Sequence, residues 1–277
     1  MVSLKDLRKS AKLRLDKTEN ESPLSDIDCI LASMGFSKSD ILLGERNLDK
    51  QAEQAFWSKV NRLEQNEPVQ YIVGKTEFMS LEFEVNSATL IPRADTEVLV
   101  EAVIDLCKSI ENPNIFEVGT GSGCIAVSLA HYIRGAAVTS ADISEDALKV
   151  ATRNAQNNNA NVNFINHNIL TGFPEFETLP NIIVSNPPYI PSGDILKLDK
   201  KVKDFEPKTA LDGGADGLDL YRFITRHAPL APCGYLAFEV GINQSDDVAN
   251  LMQSRFKNIK IIKDLSGIER VVTGNLK

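Results

Sequence analysis

The stretch Glu117-Val118-Gly119-Thr120-Gly121-Ser122-Gly123 follows the apolar run Ile115–Val118 and leads into Ile125, Ala126, Leu129 and Ala130 at helical spacing. A strand that turns through glycines into a helix brings bare backbone up to the positive end of the helix, where a ligand can approach without meeting a Cβ. The glycines stand at every second position and an acid precedes them by two, unlike the G-x-G-x-x-G of dinucleotide sites. With no pyrophosphate to cradle, such a loop suits a nucleoside carrying an amino acid tail; the plainer alternative is a tight structural turn.

Working outward, short apolar runs recur at Ile115–Val118, Val138–Ala141, Val162–Ile165, Ile182–Ser185, Tyr235–Val240, Ile259–Ile262 and Arg270–Thr273, mostly separated by helical segments. Seven such strands predict an α/β fold with an open, mainly parallel sheet covered on both faces. Lys263 to Glu269 is too short for a crossover helix, so the last two runs are expected to form an antiparallel hairpin at the sheet's edge. Asp142 ends the second run, 19 positions after Gly123, where it can accept hydrogen bonds from a ribose diol. Ser144 reads as the N-cap of the helix that follows, and the Asn-rich Asn154 to Asn163 as an inert helix end.

Upstream, apolar residues recur at helical spacing from Leu4 to Leu63, with breaks at Ser22-Pro23, Gly35, Gly44 and Glu67-Pro68. Residues 1–74 therefore read as a small domain of four or five helices. Eight lysines and four arginines balance six aspartates and six glutamates through Lys75, so the excess acid lies downstream. Leu81, Phe83 and Val85 alternate with Glu82 and Glu84, which predicts a β-hairpin linker over residues 75–92 ahead of a third segment, 93–277.

The chain has 277 residues and a net charge of -8, an acidic balance that argues against a nonspecific grip on nucleic acid or an anionic membrane. Four scattered cysteines and three isolated histidines suggest neither a disulfide framework nor a metal site. The N-terminus mixes charge with leucine, unlike a secretory signal, and no apolar run reaches membrane-spanning length, so a cytoplasmic location is expected.

After the fourth run comes Asn186-Pro187-Pro188-Tyr189. Two prolines stop the strand and fix the direction of the flanking side chains. Asn186 and Tyr189 then form a polar and aromatic lip.

Together with Pro68-Val69-Gln70-Tyr71-Ile72, Ile91-Pro92-Arg93, Asp95-Thr96-Glu97, Glu206-Pro207, Ala210-Leu211, Gly213-Gly214 and Asp216-Gly217-Leu218, these motifs make the chain resemble a known family. It is similar to the S-adenosylmethionine-dependent class I methyltransferases, and within them to the PrmC/HemK release factor glutamine N5-methyltransferases. It departs from the pattern in having Glu117 where the family usually has Asp, and Ala94 where Pro is frequent.

The resemblance implies a Rossmann-like sheet of seven strands, mostly parallel with an antiparallel last strand, plus an N-terminal helical domain for substrate recognition. It implies that Glu117, Gly119, Thr120, Gly121, Ser122, Gly123, Asp142, Asn168, Ile169 and Asn186 bind S-adenosyl-L-methionine. Asn186, Pro187, Pro188, Tyr189 and Arg93 would bind the substrate, with Asn186, Pro187 and Tyr189 catalytic. The implied substrate is the Gly-Gly-Gln glutamine of class 1 peptide chain release factors, with no direct nucleic acid or membrane partner and a monomeric chain. An amide nitrogen is a poor nucleophile, and the turn can help by offering the Asn186 side-chain oxygen and the Pro187 carbonyl to the two N–H groups, with the Tyr189 ring against the amide plane.

Two rival readings remain. The same tetrapeptide serves DNA or RNA amino-methyltransferases, which need a basic cleft for the backbone. A silent release-factor-binding protein would need neither motif intact. Arg93, Asp95 and Glu97 also have a plain reading, as a capping and dipole arrangement at a helix start. The long connection after Ile190 is expected to shape a substrate groove, Trp57 to be core, and Cys124 to be a small apolar filler.

Overall fold

The structure is a computed structural model describing residues 2–277, and its chain divides into two compact units. The smaller comprises the residues through Lys75 together with Asp199–Phe205. It contains β1 (Val2–Ser3), α1 (Leu4–Leu15), α2 (Pro23–Ser33), α3 (Lys38–Leu43), β2 (Asn47–Leu48), α4 (Lys50–Glu64) and α5 (Val69–Val73). The helical stripe of the sequence becomes its core: Leu4, Leu7, Leu15, Ile27, Ile30, Phe56, Val60 and Leu63 are all buried in one cluster. Polar residues mark the helix starts, with Ser3, Ser37 and Asp49 each accepting a backbone N–H of the first turn. Trp57 only borders this core, with the Arg14 guanidinium 5.1 Å from its ring centre. The β1–β2 ribbon, two residues per strand, had no counterpart in the sequence pattern.

The larger unit opens with the predicted hairpin, β3 (Lys75–Phe78) and β4 (Leu81–Glu84), then continues through α6 (Ala94–Cys107), β5 (Asn114–Val118), α7 (Cys124–Tyr132), β6 (Ala137–Asp142), α8 (Glu145–Asn157), β7 (Val162–Asn166) and β8 (Ile182–Ser185). The short α9 (Lys200–Lys203) falls in the segment assigned to the helical unit, where Lys200 Nζ lies 2.9 Å from Glu19. After it come α10 (Asp219–His227), β9 (Tyr235–Glu239), α11 (Ser245–Met252), β10 (Phe256–Lys263) and β11 (Glu269–Leu276).

The seven strands pair in the order β10-β11-β9-β8-β5-β6-β7. The pairs from β9 through β8, β5 and β6 to β7 are all parallel, while β11 runs antiparallel to both β9 and β10. The expected hairpin is therefore present, with its second strand inserted one place in from the edge. Side chains alternate across the sheet with period two. Ile182 and Val184 join the core beneath α6 and α7, whereas Ile183 joins Tyr221, Ile224, Val248 and Met252 of α10 and α11 on the other face. Phe78 and Phe83 of the hairpin, ring centres 6.0 Å apart, extend the first of these cores.

This arrangement places the ends of β5 and β8 side by side. The register pairs Val118 with Ser185, so Gly119 and Asn186 leave the sheet as neighbours at its C-terminal edge, where ligands of open parallel sheets bind.

Candidate active site

A cavity of about 490 Å³ opens at that edge. Of the residues implied as cofactor contacts, Gly119, Thr120, Gly121, Ser122, Asp142, Asn168, Ile169 and Asn186 line it. Asp142 shapes the loop as well as facing the cavity: its carboxylate accepts Gly121 N–H at 2.8 Å and Ser144 N–H at 2.9 Å. Each oxygen keeps a second lone-pair direction for a ligand hydroxyl. Asn168 accepts Leu170 N–H at 3.0 Å and begins a short turn whose Ile169 and Leu170 supply apolar wall.

Two implied cofactor contacts lie off the wall. Glu117 is fully buried beneath the loop, where Ser140 Oγ donates to its carboxylate and Thr120 Oγ1 lies 2.6 Å from Ser140 Oγ. Burial pushes its pKa up to about 8, against the Ser140 hydrogen bond, which favours ionisation. Its period-two partner on β5, Ile115, lies in the core beneath α6 and α7. Gly123 has φ +82°, and a Cβ there would lie 3.0 Å from the Ala151 Cβ. That glycine serves the close packing of α7 on α8, one of the known uses of glycine in such turns.

The turn after β8 is held from behind by a distant segment. Gln244 Nε2 donates to the Tyr189 carbonyl at 3.0 Å, Ile190 N–H donates to Leu211 O at 3.0 Å, and Gly213 N–H donates to Ile190 O at 2.9 Å. A Cβ on Gly213 would come within 2.6 Å of Pro188 O, and one on Gly217 would overlap Tyr189 O. The Gly213-Gly214 and Gly217 motif thus lets two stretches of backbone touch, and the long connection becomes a brace. Asn186 and Pro188 line the cavity; Pro187 and Tyr189 do not. The Pro187 ring is buried, and the Tyr189 ring packs toward the core beside Gly241, where burial drives its pKa to about 12. Among the described residues no hydrogen bond engages the Pro187 carbonyl or Asn186 Oδ1.

Arg93 reaches the cavity and pairs with Glu206 at 2.5 Å; the Glu206 side chain is only 1% exposed. Burial raises the Glu206 pKa, and the Arg93 charge opposes that rise. Arg93 makes no side-chain cap on α6. Asp95 instead pairs with Arg270 at 2.8 Å, and Glu97 accepts Met79 N–H at 2.7 Å, tying the helix start to β11 and the hairpin rather than to solvent.

Three residues at or near the site had no role assigned from the sequence, although Thr96 lies in a motif of the resemblance. Thr96 and Glu239, both 3% exposed, stand beside Asn186, and Thr96 Oγ1 accepts Asn186 Nδ2–H at 3.3 Å. A carboxylate one residue from the end of the apolar run Tyr235–Val240, at the ligand-binding edge of a parallel sheet, was the available signal for Glu239. Asn154 corrects the expectation of an inert Asn-rich stretch: fully buried, it accepts Glu84 N–H at 2.6 Å and donates to Glu84 O at 2.9 Å and Ser122 O at 2.8 Å, joining hairpin to glycine loop. Cys124 lines the cavity, and its thiol pKa is pushed to about 12 by burial. Among the described residues no cluster of His, Cys, Asp and Glu could hold a metal, and no helix is long and apolar enough to cross a membrane.

The cavity fits a nucleoside cofactor with an amino acid tail. Gly119 and Gly121 leave the wall without side chains, Asp142 offers paired acceptors, and Ser122 brings a buried hydroxyl to the same wall.

The PrmC N-terminal domain family matches residues 6–74, and the Methyltransferase small domain family matches residues 91–199. A release factor glutamine methyltransferase of Clostridium acetobutylicum is 37% identical over 279 residues, covering 98% of each chain. One from Fusobacterium nucleatum is 42% identical over 217 residues, which is 77% of this chain and 61% of that relative's length. Among solved structures, a methyltransferase from Pyrococcus furiosus superposes with a TM-score of 0.51 at 19% identity, over 72% of this chain and 90% of the other, and shares the fold.

Proposed function

The chain belongs to the release factor glutamine methyltransferases, and from that premise we propose how its residues divide the work of methylating the Gly-Gly-Gln glutamine of class 1 release factors on its side-chain nitrogen. The observation that carries the reading is the pair of acceptors at the end of β8, Asn186 Oδ1 and Pro187 O, neither engaged by a hydrogen bond among the described residues. A planar NH2 has two N–H groups, and two acceptors can take both, which turns the nitrogen toward the cavity.

S-adenosylmethionine, when bound, supplies an electrophilic methyl group on a sulfonium. Asp142 holds the ribose hydroxyls, the Gly119–Ser122 backbone accommodates the amino acid end, and Ile169 with Leu170 forms the apolar side of the base pocket. Glu117 stiffens the loop from below. Asn186 and Pro187 orient the substrate amide, and Tyr189 anchors the turn through its packing and carbonyl. Because the electrophile is already activated, the protein's main contribution is orientation, for which general estimates reach about 7–11 kcal/mol. Arg93, locked to Glu206, guides the substrate at the cavity mouth. The helical unit, with its own core and balanced charge, supplies a second contact with the factor.

Nothing in the cavity favours a nucleic acid substrate over this one: its wall carries Asp142 and Asp212 beside Arg93 and Lys208. The test incubates the protein with methyl-labelled cofactor and either a release factor or duplex DNA. Label confined to the factor is expected, and label on DNA overturns the assignment.

A further inference from the structure

Asn186 can serve as an acceptor only if its amide is held the right way round. Rotating the side chain by half a turn exchanges Oδ1 for Nδ2 at nearly the same shape. It would then confront a substrate NH2 with another donor. Something in the protein must therefore distinguish the two ends of this amide.

The surroundings of Asn186 do so. On its protein side stand two groups that accept hydrogen bonds. Thr96 Oγ1, from the first turn of α6, takes the Nδ2 hydrogen at 3.3 Å. Glu239 ends β9; the β8–β9 register pairs Ser185 with Phe238, so one step on Asn186 and Glu239 are neighbours at the sheet edge. The Glu239 carboxyl is buried, and among the described residues its Oε2 has no hydrogen-bond partner. The Thr96 hydroxyl and the Asn186 amide both favour its ionised form, against the stronger effect of burial, which brings its pKa to about 7. Asp95 raises that pKa and Arg270 lowers it, so charges from α6 and β11 face the same group.

We propose that Thr96 and Glu239 are positioning residues that fix the orientation of the Asn186 amide, directing Nδ2 into the protein and Oδ1 toward the substrate. The inference rests on the glutamine methyltransferase reading and assigns to two residues a task carried out through Asn186. Thr96 sets the orientation through a direct hydrogen bond. Glu239 repels Oδ1 from the sheet side and attracts Nδ2, so the reversed amide places oxygen against carboxylate. Both residues are far from Asn186 in the chain, and selectivity for an NH2-bearing side chain becomes a property of three strands and helices rather than of the tetrapeptide alone.

The test compares Thr96→Val, Thr96→Ser and Glu239→Gln in the full-length protein, with methyl-labelled S-adenosylmethionine and an intact class 1 release factor. Thr96→Val keeps the shape and removes the acceptor; kcat is expected to fall about 10- to 100-fold, with cofactor Kd by calorimetry changed less than about 3-fold. Thr96→Ser restores kcat to within about 3-fold of wild type. Glu239→Gln, which can donate to Oδ1 as well as accept, lowers kcat in the same manner and stands as an independent arm if the valine variant does not fold. Equal kcat in Thr96→Val and wild type, or losses of kcat and cofactor affinity in parallel, overturns the proposal. A wild-type protein that labels no factor overturns the underlying assignment instead, and the two failures are told apart by that control.

Discussion

The two turns that leave the sheet side by side, Gly119–Gly123 after β5 and Asn186–Tyr189 after β8, are shaped by opposite means. The first makes room by lacking side chains, and its stiffness comes from below through Glu117, Ser140 and Thr120 and from the side through Asp142 and Asn154. The second gains direction from two prolines, and the glycines that serve it belong to another segment, Gly213 and Gly217, which press against its carbonyls. One surface is made for a ligand to lie against and the other to hold a group at a fixed angle. The contrast implies that cofactor affinity and transfer rate can be altered separately.

The largest separation is expected at Asn186. Asn186→Ala should lower kcat about 100- to 1,000-fold, the general scale for losing one oriented polar partner, with the calorimetric cofactor Kd little changed. A parallel loss of affinity would merge the two surfaces into one. Asp142→Ala should act the other way, raising cofactor Kd about 10- to 100-fold for the loss of charge-assisted hydrogen bonds, while kcat at saturating cofactor is largely kept. Gly217→Ala should destabilise by more than about 1 kcal/mol, since φ is +79° and the added Cβ meets Tyr189 O. Denaturant melts would measure that cost, and kcat should fall more than cofactor affinity.

A smaller effect sharpens the contrast through pH. The Glu117 carboxyl has its pKa raised by burial from an ordinary 4.5 to about 8, so the folded chain binds the proton more tightly than the unfolded chain. Stability from this group is therefore full below about 4.5 and declines as pH rises toward about 8. Glu117→Gln keeps a group that Ser140 can reach and removes the titration. Its unfolding free energy should vary less across that window than that of wild type, with an unchanged slope counting against a neutral Glu117.

Much of this was legible in the sequence because it depends on local pattern. The strands of the sheet are short apolar runs bounded by turn residues, the helical core repeats with helical spacing, and both site turns carry their own glycines or prolines. What escaped depends on three-dimensional neighbours. Glu117 carries the acid expected of a cofactor contact, yet strand alternation points it beneath the loop. Asn154 reads as one asparagine among several and is the only one of its stretch to be fully buried. Thr96 and Glu239 reach Asn186 only because α6 and β9 converge on the end of β8. Asp199–Phe205 joins the helical unit from within the connection after Ile190, a long-range return that no spacing rule announces.

The reading of a planar NH2 by the turn after β8 depends on two acceptors, Asn186 Oδ1 and Pro187 O, which no hydrogen bond engages among the described residues. Its most direct test supplies the protein with methyl-labelled cofactor and two versions of the same release factor, one with the Gly-Gly-Gln glutamine intact and one with that glutamine replaced by glutamate, and locates the label by mass spectrometry. Label on the side-chain nitrogen of the intact glutamine and none on the glutamate form is the predicted result. Comparable methylation of the glutamate form, which has no N–H groups for Asn186 and Pro187 to hold, would contradict it.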